Sequence, residues 1–148
     1  MTLPLAQSGP NVRNVARSVG AIAAGFIAVF VLSLGTDQVL HVLNVYPPWG
    51  QPMWEPGLNL LALGYRILYT ILGGYITARL APHSPVRHAM ILGVIGLVLS
   101  TAGAVYTITK FDFGPDWYPI LLAVTALPCS WLGGELRQRQ ATGQGRPR

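Results

Sequence analysis

The chain has 148 residues, of which 51% are hydrophobic and only 10% are charged, and its formal net charge is +5. A soluble domain carries about 25% charged residues, so this composition excludes a domain that water wets on every side. The length suits a single domain. The basic residues are interspersed between apolar runs, which argues against a nucleic-acid partner. Cys129 is the single cysteine of the sequence, so an internal disulfide and a cysteine-based metal site are both excluded.

Four apolar stretches are long enough to cross a membrane as helices, since about 20 helical residues span roughly 30 Å of hydrocarbon. The predicted helices cover approximately residues 18–43, 58–80, 88–109 and 117–136. They predict an all-α transmembrane domain over residues 16–137, a four-helix bundle whose helices alternate up-down-up-down. The segments 1–15 and 138–148 are expected to be disordered tails, the second of them basic.

Basic residues occur in alternate segments between the predicted helices. Arg13 and Arg17 precede the first helix, and Arg79 and Arg87 flank the connection between the second and third. The tail after the fourth helix adds four arginines: Arg137, Arg139, Arg146 and Arg148. The other two connections hold Lys110 and three acidic residues: Glu55, Asp112 and Asp116. Basic loops stay on the cytoplasmic side of a membrane, so this pattern predicts that both termini are cytoplasmic.

Small residues at helical spacing predict where the helices touch, because they let helix backbones approach closely in lipid. One stripe runs along the first helix: Gly20, Ala24 and Ala28. A second runs along the third helix: Gly96, Ser100 and Ala104. Two glycine pairs complete the predicted packing positions: Gly73-Gly74 and Gly133-Gly134. The first and third helices run in the same direction, so their stripes predict pairing within one chain or between two chains. Pro128 lies inside the fourth helix and predicts a kink.

Charge inside the membrane is the most informative feature, because it is costly and needs a partner. Arg66 lies 13 residues before Arg79, roughly 20 Å along a helix. Asp37 lies 20 residues after Arg17, or roughly 30 Å by the same rise. Since the first two helices are antiparallel neighbours and arginine side chains reach outward, the sequence predicts an Asp37–Arg66 ion pair in the outer half of the bundle.

Other polar residues share helix faces with this pair and predict one intramembrane cluster. Its six members are Ser33, Asp37, His41, Arg66, Tyr69 and Thr70. The spacing of four between Ser33, Asp37 and His41 places them on one face and allows an Asp37–His41 hydrogen bond. Two interpretations stay open: a pair that only fixes helix register, or a solute or proton site.

The histidines and the absence of catalytic motifs limit which cofactors and which enzymatic activities the sequence predicts. His83 and His88 are expected to be solvated surface residues. A haem held by two helices needs facing histidines at similar depth, and His41 has no such mate, although a pigment or haem bound through His41 alone stays open. No metal site or cofactor is predicted. The sequence holds no metalloprotease, serine-hydrolase or P-loop motif, so no enzymatic activity is predicted.

Three runs of sequence carry a resemblance: GTDQVLHVLNVYPPWG, YRILYTILGGYITARLAPHSPVRHA and GPDWYPILLAVTALPCSWLGG. Together they resemble a group of small four-span bacterial membrane proteins to which no activity is assigned. The resemblance extends over about residues 20–137 and implies a bacterial inner membrane.

The function hypotheses follow from size as well as from charge. One such bundle is too small to enclose a wide pathway, so we expect a homo-oligomer or a larger membrane complex within the lipid bilayer. The first hypothesis is a non-enzymatic accessory or scaffold subunit of a membrane assembly. The alternative is a small oligomeric transporter or channel that uses Asp37, His41 and Arg66 for solute or proton passage.

Overall fold

A computed structural model describes residues 12–143 of the chain, and within that range the fold is all-α without strands. Four helices follow one another: α1 (Val12–Val42), α2 (Pro56–Leu80), α3 (Pro85–Lys110) and α4 (Trp117–Gly143). Each is long and apolar enough to cross a membrane. The predicted four-helix, up-down-up-down bundle is confirmed. We call the end that carries the 81–84 turn the basic end, and the end that carries the 43–55 and 111–116 loops the acidic end.

Proline marks the start of two helices. Pro56 and Pro85 each stand at the first helical positions, where a missing N–H is harmless and the fixed φ favours a helix. Only four residues separate α2 from α3, and Ser84 at the end of this turn adopts a left-handed φ of 44°. So short a connection forces α2 and α3 to run antiparallel. The longer loops at the acidic end contact each other, because the Met53 N–H donates to the Phe113 carbonyl at 2.7 Å.

All four helices are longer than the sequence predicts, α1 and α4 by the largest margins. The disorder expected over 1–15 is wrong for residues 12–15, which begin α1, and the disorder expected over 138–148 is wrong for residues 138–143, which end α4. Residues 1–11 and 144–148 lie outside the described residues.

Side-chain contacts explain the extension of α4. Arg139 donates to Glu135 one turn earlier at 2.9 Å, and Tyr75 of α2 donates to Gln140 at 2.6 Å. In α1, the 31 residues span roughly 46 Å, more than the hydrocarbon core needs. α1 is therefore longer than the hydrocarbon requires, and a predicted start placed just after Arg17 misses its first turns.

The centre of the bundle is the contact between α2 and α4. A Cβ on Gly74 would lie 2.4 Å from the Ser130 carbonyl oxygen, and one on Gly133 would lie 2.0 Å from the Ile71 carbonyl oxygen. Both distances are far below van der Waals contact, so these two positions lie where helix backbones meet and require glycine. A Cβ on Gly134 would lie 2.7 Å from the Ala89 side chain of α3. The second glycine pair therefore brings α4 against two helices at once.

The small-residue stripe predicted on α1 is wrong in its register. Gly20 is exposed, and a Cβ there would meet nothing within 4 Å. The buried small residues of α1 are Ala21 and Gly25, one position further along. A Cβ on Gly25 would lie 2.6 Å from the Gly73 carbonyl oxygen, so α1 packs its Gly25 face on α2. Ala24 and Ala28, the other members of the predicted stripe, are only half-buried.

The stripe predicted on α3 is likewise only partly at a helix contact. Ala104 is buried, whereas Gly96 and Ser100 are half-buried, and a Cβ on Gly96 would lie at an ordinary 3.6 Å from Ala126. The tight contact on this helix is Gly93, where a Cβ would lie 3.0 Å from the Ser130 Cβ. The predicted pairing of α1 with α3 is therefore minor: α3 packs chiefly on α4, and α1 chiefly on α2.

Pro128 lies on the exposed side of α4, and the helix continues through it. The kink expected there stays a prediction. A different irregularity lies between α1 and α2, where the fully buried Thr77 hydroxyl has no hydrogen-bond partner. It faces Gly25, at which a Cβ would lie 2.0 Å from Thr77 Oγ1. This close approach is possible only because Gly25 has no side chain.

Candidate functional site

The predicted ion pair between α1 and α2 is present near the acidic end. Arg66 Nη2 donates to Asp37 Oδ2 at 2.5 Å. Asp37 is buried, with 6% of its surface exposed, and the Arg66 side chain is about a quarter exposed. Asp37 lies in the last two turns of α1, and Arg66 lies about three turns into α2. Because the two helices are antiparallel, these positions meet at the same depth.

Two tyrosines extend this pair into a network of four side chains, here the Asp37 network: Asp37, Tyr65, Arg66 and Tyr118. The Tyr65 hydroxyl donates to Asp37 Oδ1, and Arg66 Nη1 donates to the Tyr118 hydroxyl. Both tyrosine rings also lie 5.8 Å from the Arg66 guanidinium carbon, within the range of a cation–π contact. Both oxygens of the carboxylate are thus engaged, and the network joins α1, α2 and α4.

The physical value of this arrangement is that no member of the charged pair is buried alone. An unpaired charge in low dielectric is very costly. Breaking a buried pair by removing one partner costs about 3–5 kcal/mol. Arg66 has five N–H donors, of which two serve the Asp37 network, and its side chain lines a cavity between the helices. The guanidinium therefore has N–H donors beyond the two that serve the Asp37 network.

Aromatic and hydroxyl contacts surround the network. Thr36 and Tyr69 share a hydrogen bond of 2.8 Å between their hydroxyls, a second polar link from α1 to α2. Tyr46, in the loop after α1, is buried, and its hydroxyl lies 3.4 Å from that of Tyr65. This distance is longer than an ordinary O–H···O bond. Burial raises the pKa of Tyr46 above its ordinary value of 10.0, and the long contact with the Tyr65 hydroxyl offsets part of the shift.

His41 does not join the predicted cluster. Its Nδ1 donates to the Pro47 carbonyl at 2.7 Å, and its ring lies 3.9 Å from the Trp49 ring. The expected hydrogen bond between Asp37 and His41 is therefore wrong. The physical reason is the loop after α1, which turns back and places the Pro47 carbonyl within hydrogen-bond distance of the imidazole.

The other three predicted cluster members lie near Arg66 without completing the Asp37 network. Tyr69 bonds Thr36, and the Thr70 hydroxyl donates to the Arg66 backbone carbonyl one turn earlier at 2.7 Å. Ser33 and Thr70 line the same cavity as Arg66. The cavity has a volume of about 400 Å³ and mostly apolar walls.

Sequence reasoning missed Tyr65 and Tyr118 as partners of the charged pair. Tyr118 stands at the start of α4 beside Trp117, a position typical of a side chain that anchors a helix at the membrane surface. Tyr65 directly precedes Arg66, and neighbours in a helix are not expected to share a contact. Here both side chains bond the same residue, because the Tyr65 hydroxyl and the Arg66 guanidinium each donate to a different oxygen of Asp37. The signal available was the phenol itself, which seeks a hydrogen-bond partner when it is buried.

A second polar contact at the basic end corrects the expectation for His88. It is 4% exposed instead of solvated, with Nε2 2.9 Å from the Ser18 hydroxyl and Nδ1 3.1 Å from the Ser84 carbonyl. Since the carbonyl only accepts, Nδ1 carries the proton and Nε2 accepts from Ser18. This bond joins the second turn of α1 to the first turn of α3. His83 is exposed, as expected.

The fold and the buried charges define the class of protein. Within residues 12–143, four helices are long and apolar enough to cross a membrane, and the chain is a multi-pass integral membrane protein of the helical-bundle type. Comparison with known protein families, with curated proteins and with solved structures found no match.

Proposed function

We propose that the protein is a non-enzymatic accessory or scaffold subunit of a membrane assembly. The observation that supports this role is the closed hydrogen bonding of Asp37, whose two carboxylate oxygens are both occupied by side chains of the same chain. A carboxylate that relays protons needs an exchangeable neighbour on a path to water. Asp37 is buried, and His41 is engaged with the loop. The pair therefore fixes the register of α1 against α2, and the bond from Arg66 to Tyr118 extends the link to α4.

A double substitution separates this role from chemistry at the same site. In Asp37→Leu alone, the half-buried Arg66 loses its counter-ion, so we expect loss of stability and loss of co-purifying partners. In Asp37→Leu/Arg66→Leu, two apolar side chains replace the pair, which is often neutral or stabilising for a buried ion pair. We expect stability and partner binding to return in the double variant. A double variant that folds as stably as wild type yet loses its assembly would contradict a purely structural pair.

The assembly itself is tested by purification from native membranes in a mild detergent. Foreign subunits that co-purify in fixed stoichiometry support the accessory role. Outside the intramolecular contacts, α1 presents a large apolar surface, with exposed residues that include Ile27 and Val31. A subunit that docks in the bilayer needs such a surface. A chain that purifies only as a monomer or as a pure homo-oligomer would count against the accessory role.

We further propose that the basic end faces the cytoplasm of a bacterial inner membrane, so that both termini are cytoplasmic. The distribution of arginine supports this orientation. The test uses a Cys129→Ser background with one new cysteine at an exposed position of each end, Gln51→Cys or His83→Cys. An impermeant maleimide added to intact cells is expected to label the first and spare the second. The reverse pattern would overturn the orientation.

The second candidate function is a small oligomeric transporter or channel. The observation that favours it is the cavity beside Arg66, which shares Ser100 and Leu122 with a second cavity of about 320 Å³ toward the acidic end. The test is solute or proton flux in liposomes with the purified protein. Flux that is lost in Asp37→Asn with the fold retained would favour this function over the scaffold role.

A further inference from the structure

The cavity beside Arg66 is a cleft between α1 and α3. The two helices meet near the basic end, through the Ser18–His88 hydrogen bond and at Gly25, where a Cβ would lie 3.1 Å from Leu92 Cδ2. Their lining residues nearer the acidic end are strongly exposed: Phe30 is 56% and Leu99 is 52% exposed. The cleft is therefore closed at Leu92 and open between the outer halves of α1 and α3. In a membrane, this opening faces lipid.

Polar groups of the cleft are concentrated at the level of Arg66. Ser33, Thr70, Ser100 and Thr125 line the cavity nearer the acidic end, while Phe26 and Leu92 line its deeper part together with Ser130, which lies beside Gly93. Phe26 lies seven residues before Ser33 in α1, or roughly 10 Å along the helix. The cleft thus has most of its polar groups nearer the acidic end, and its deeper part is apolar apart from Ser130. This is the order of groups in a lipid whose head lies at the acidic end and whose chain points to the middle of the membrane.

Charge balance selects the kind of acceptor that suits Arg66. The guanidinium is already neutralised by Asp37 at 2.5 Å, so an anion bound to its remaining donors would leave a net negative charge in a low-dielectric site, which is costly. A neutral oxygen acceptor adds no charge and can still accept a hydrogen bond from one of the remaining N–H groups of Arg66. Among lipid groups, the ester carbonyl between headgroup and chain is such an acceptor.

We infer that the α1–α3 cleft is a binding site for one acyl chain of an ester-linked phospholipid from the leaflet at the acidic end, with an ester carbonyl accepting a hydrogen bond from Arg66. The site stands apart from the scaffold role, because it needs only the cleft and the spare donors of Arg66. The bilayer that surrounds the protein supplies this ligand at high concentration.

Native mass spectrometry of the full chain, after exchange into a mild detergent with added lipid, tests the inference. The probes are a diester phospholipid and its diether analogue with the same phosphocholine headgroup. We expect one tightly retained diester molecule per chain and roughly tenfold weaker retention of the diether, since a hydrogen bond to a charged donor contributes about a factor of ten in affinity. Equal retention of the two lipids would refute the role of the ester carbonyl.

A cavity-filling variant tests the position of the chain. Gly96 lines the cleft, and a Cβ there makes an ordinary 3.6 Å contact, so Gly96→Leu fills space without a backbone clash. The matched control is Ala102→Leu, on the exposed side of the same helix. We expect Gly96→Leu to lose the retained lipid at unchanged or higher thermal stability, and Ala102→Leu to keep it. Retention in both variants would place the lipid elsewhere and overturn the inference. Retention of a fatty acid in preference to the diester would show that the site takes an anion, and would overturn it as well.

Discussion

Replacing Gly133 by alanine is the sharpest test of how α2 and α4 pack. The added Cβ would lie 2.0 Å from the Ile71 carbonyl oxygen and 2.6 Å from the Tyr75 backbone nitrogen, whereas real Cβ atoms essentially never come within 3.0 Å of another atom. Both neighbours are backbone atoms, so no side chain can rotate away. The helices must separate by about 1 Å, and at such a gap a quarter to a half of each contact's dispersion energy is lost.

The expected destabilisation is about 3 kcal/mol, at the upper end of what overpacking costs. The matched control is Gly64→Ala on α2, where a Cβ meets nothing within 4 Å. The control is expected to be neutral or stabilising by up to about 1 kcal/mol, because alanine favours a helix over glycine. The free energy of unfolding is measured by titration with dodecyl sulfate in mixed micelles, followed by circular dichroism. Equal values for Gly133→Ala and Gly64→Ala would refute the packing.

Three further outcomes are expected in the same assay. Asp37→Asn removes the counter-ion of Arg66 while nearly keeping its shape, so the free energy of unfolding should fall by about 3–5 kcal/mol; a loss below about 1 kcal/mol would mean that the guanidinium finds another partner. Ser18→Ala removes the hydroxyl that donates to His88, so the free energy of unfolding should fall by about 1 kcal/mol. The double variant Ser18→Ala/His88→Ala should be little less stable than His88→Ala alone, whereas additive losses would show that the two residues act independently. The raised pKa of Tyr46 means that the folded state holds the phenol proton more tightly than the unfolded state. Its contribution to the free energy of unfolding is therefore complete below pH 10 and is lost as the pH rises above 10. Tyr46→Phe should reduce the loss of stability at alkaline pH, and an unchanged pH profile would assign that loss to other groups.

The sequence predicts the charged pair because the physics of lipid leaves few options. A guanidinium and a carboxylate within apolar helices must find each other, and antiparallel neighbours bring Asp37 and Arg66 to one depth. The number and order of helices follow from the same solvent argument, since only long apolar runs cross a membrane. These features depend on the large cost of placing charge in lipid and on the length and spacing of helical residues. Both can be judged from a single sequence.

The face that each helix buries depends on small energies and is harder to predict. In α1, the spacing of Gly20 and Ala24 satisfies the small-residue pattern as well as that of Ala21 and Gly25, and a one-residue difference turns the face by about 100°. Which stripe packs is decided by the partner: Gly73 and Thr77 of α2 leave room for Gly25. His88 escaped prediction for a similar reason, because its partner Ser18 belongs to a distant turn of another helix.

The position of the buried carboxylate has a consequence for biosynthesis. Asp37 precedes Arg66 in the chain, and the two belong to the first helical hairpin, whereas Tyr118 belongs to the second. An arginine at the centre of an inserting helix costs about 2.5–3.5 kcal/mol. When the helices are synthesised and inserted in chain order, Asp37 of α1 is already in the bilayer when Arg66 of α2 is inserted. The tyrosine that completes its hydrogen bonding follows only with the last helix.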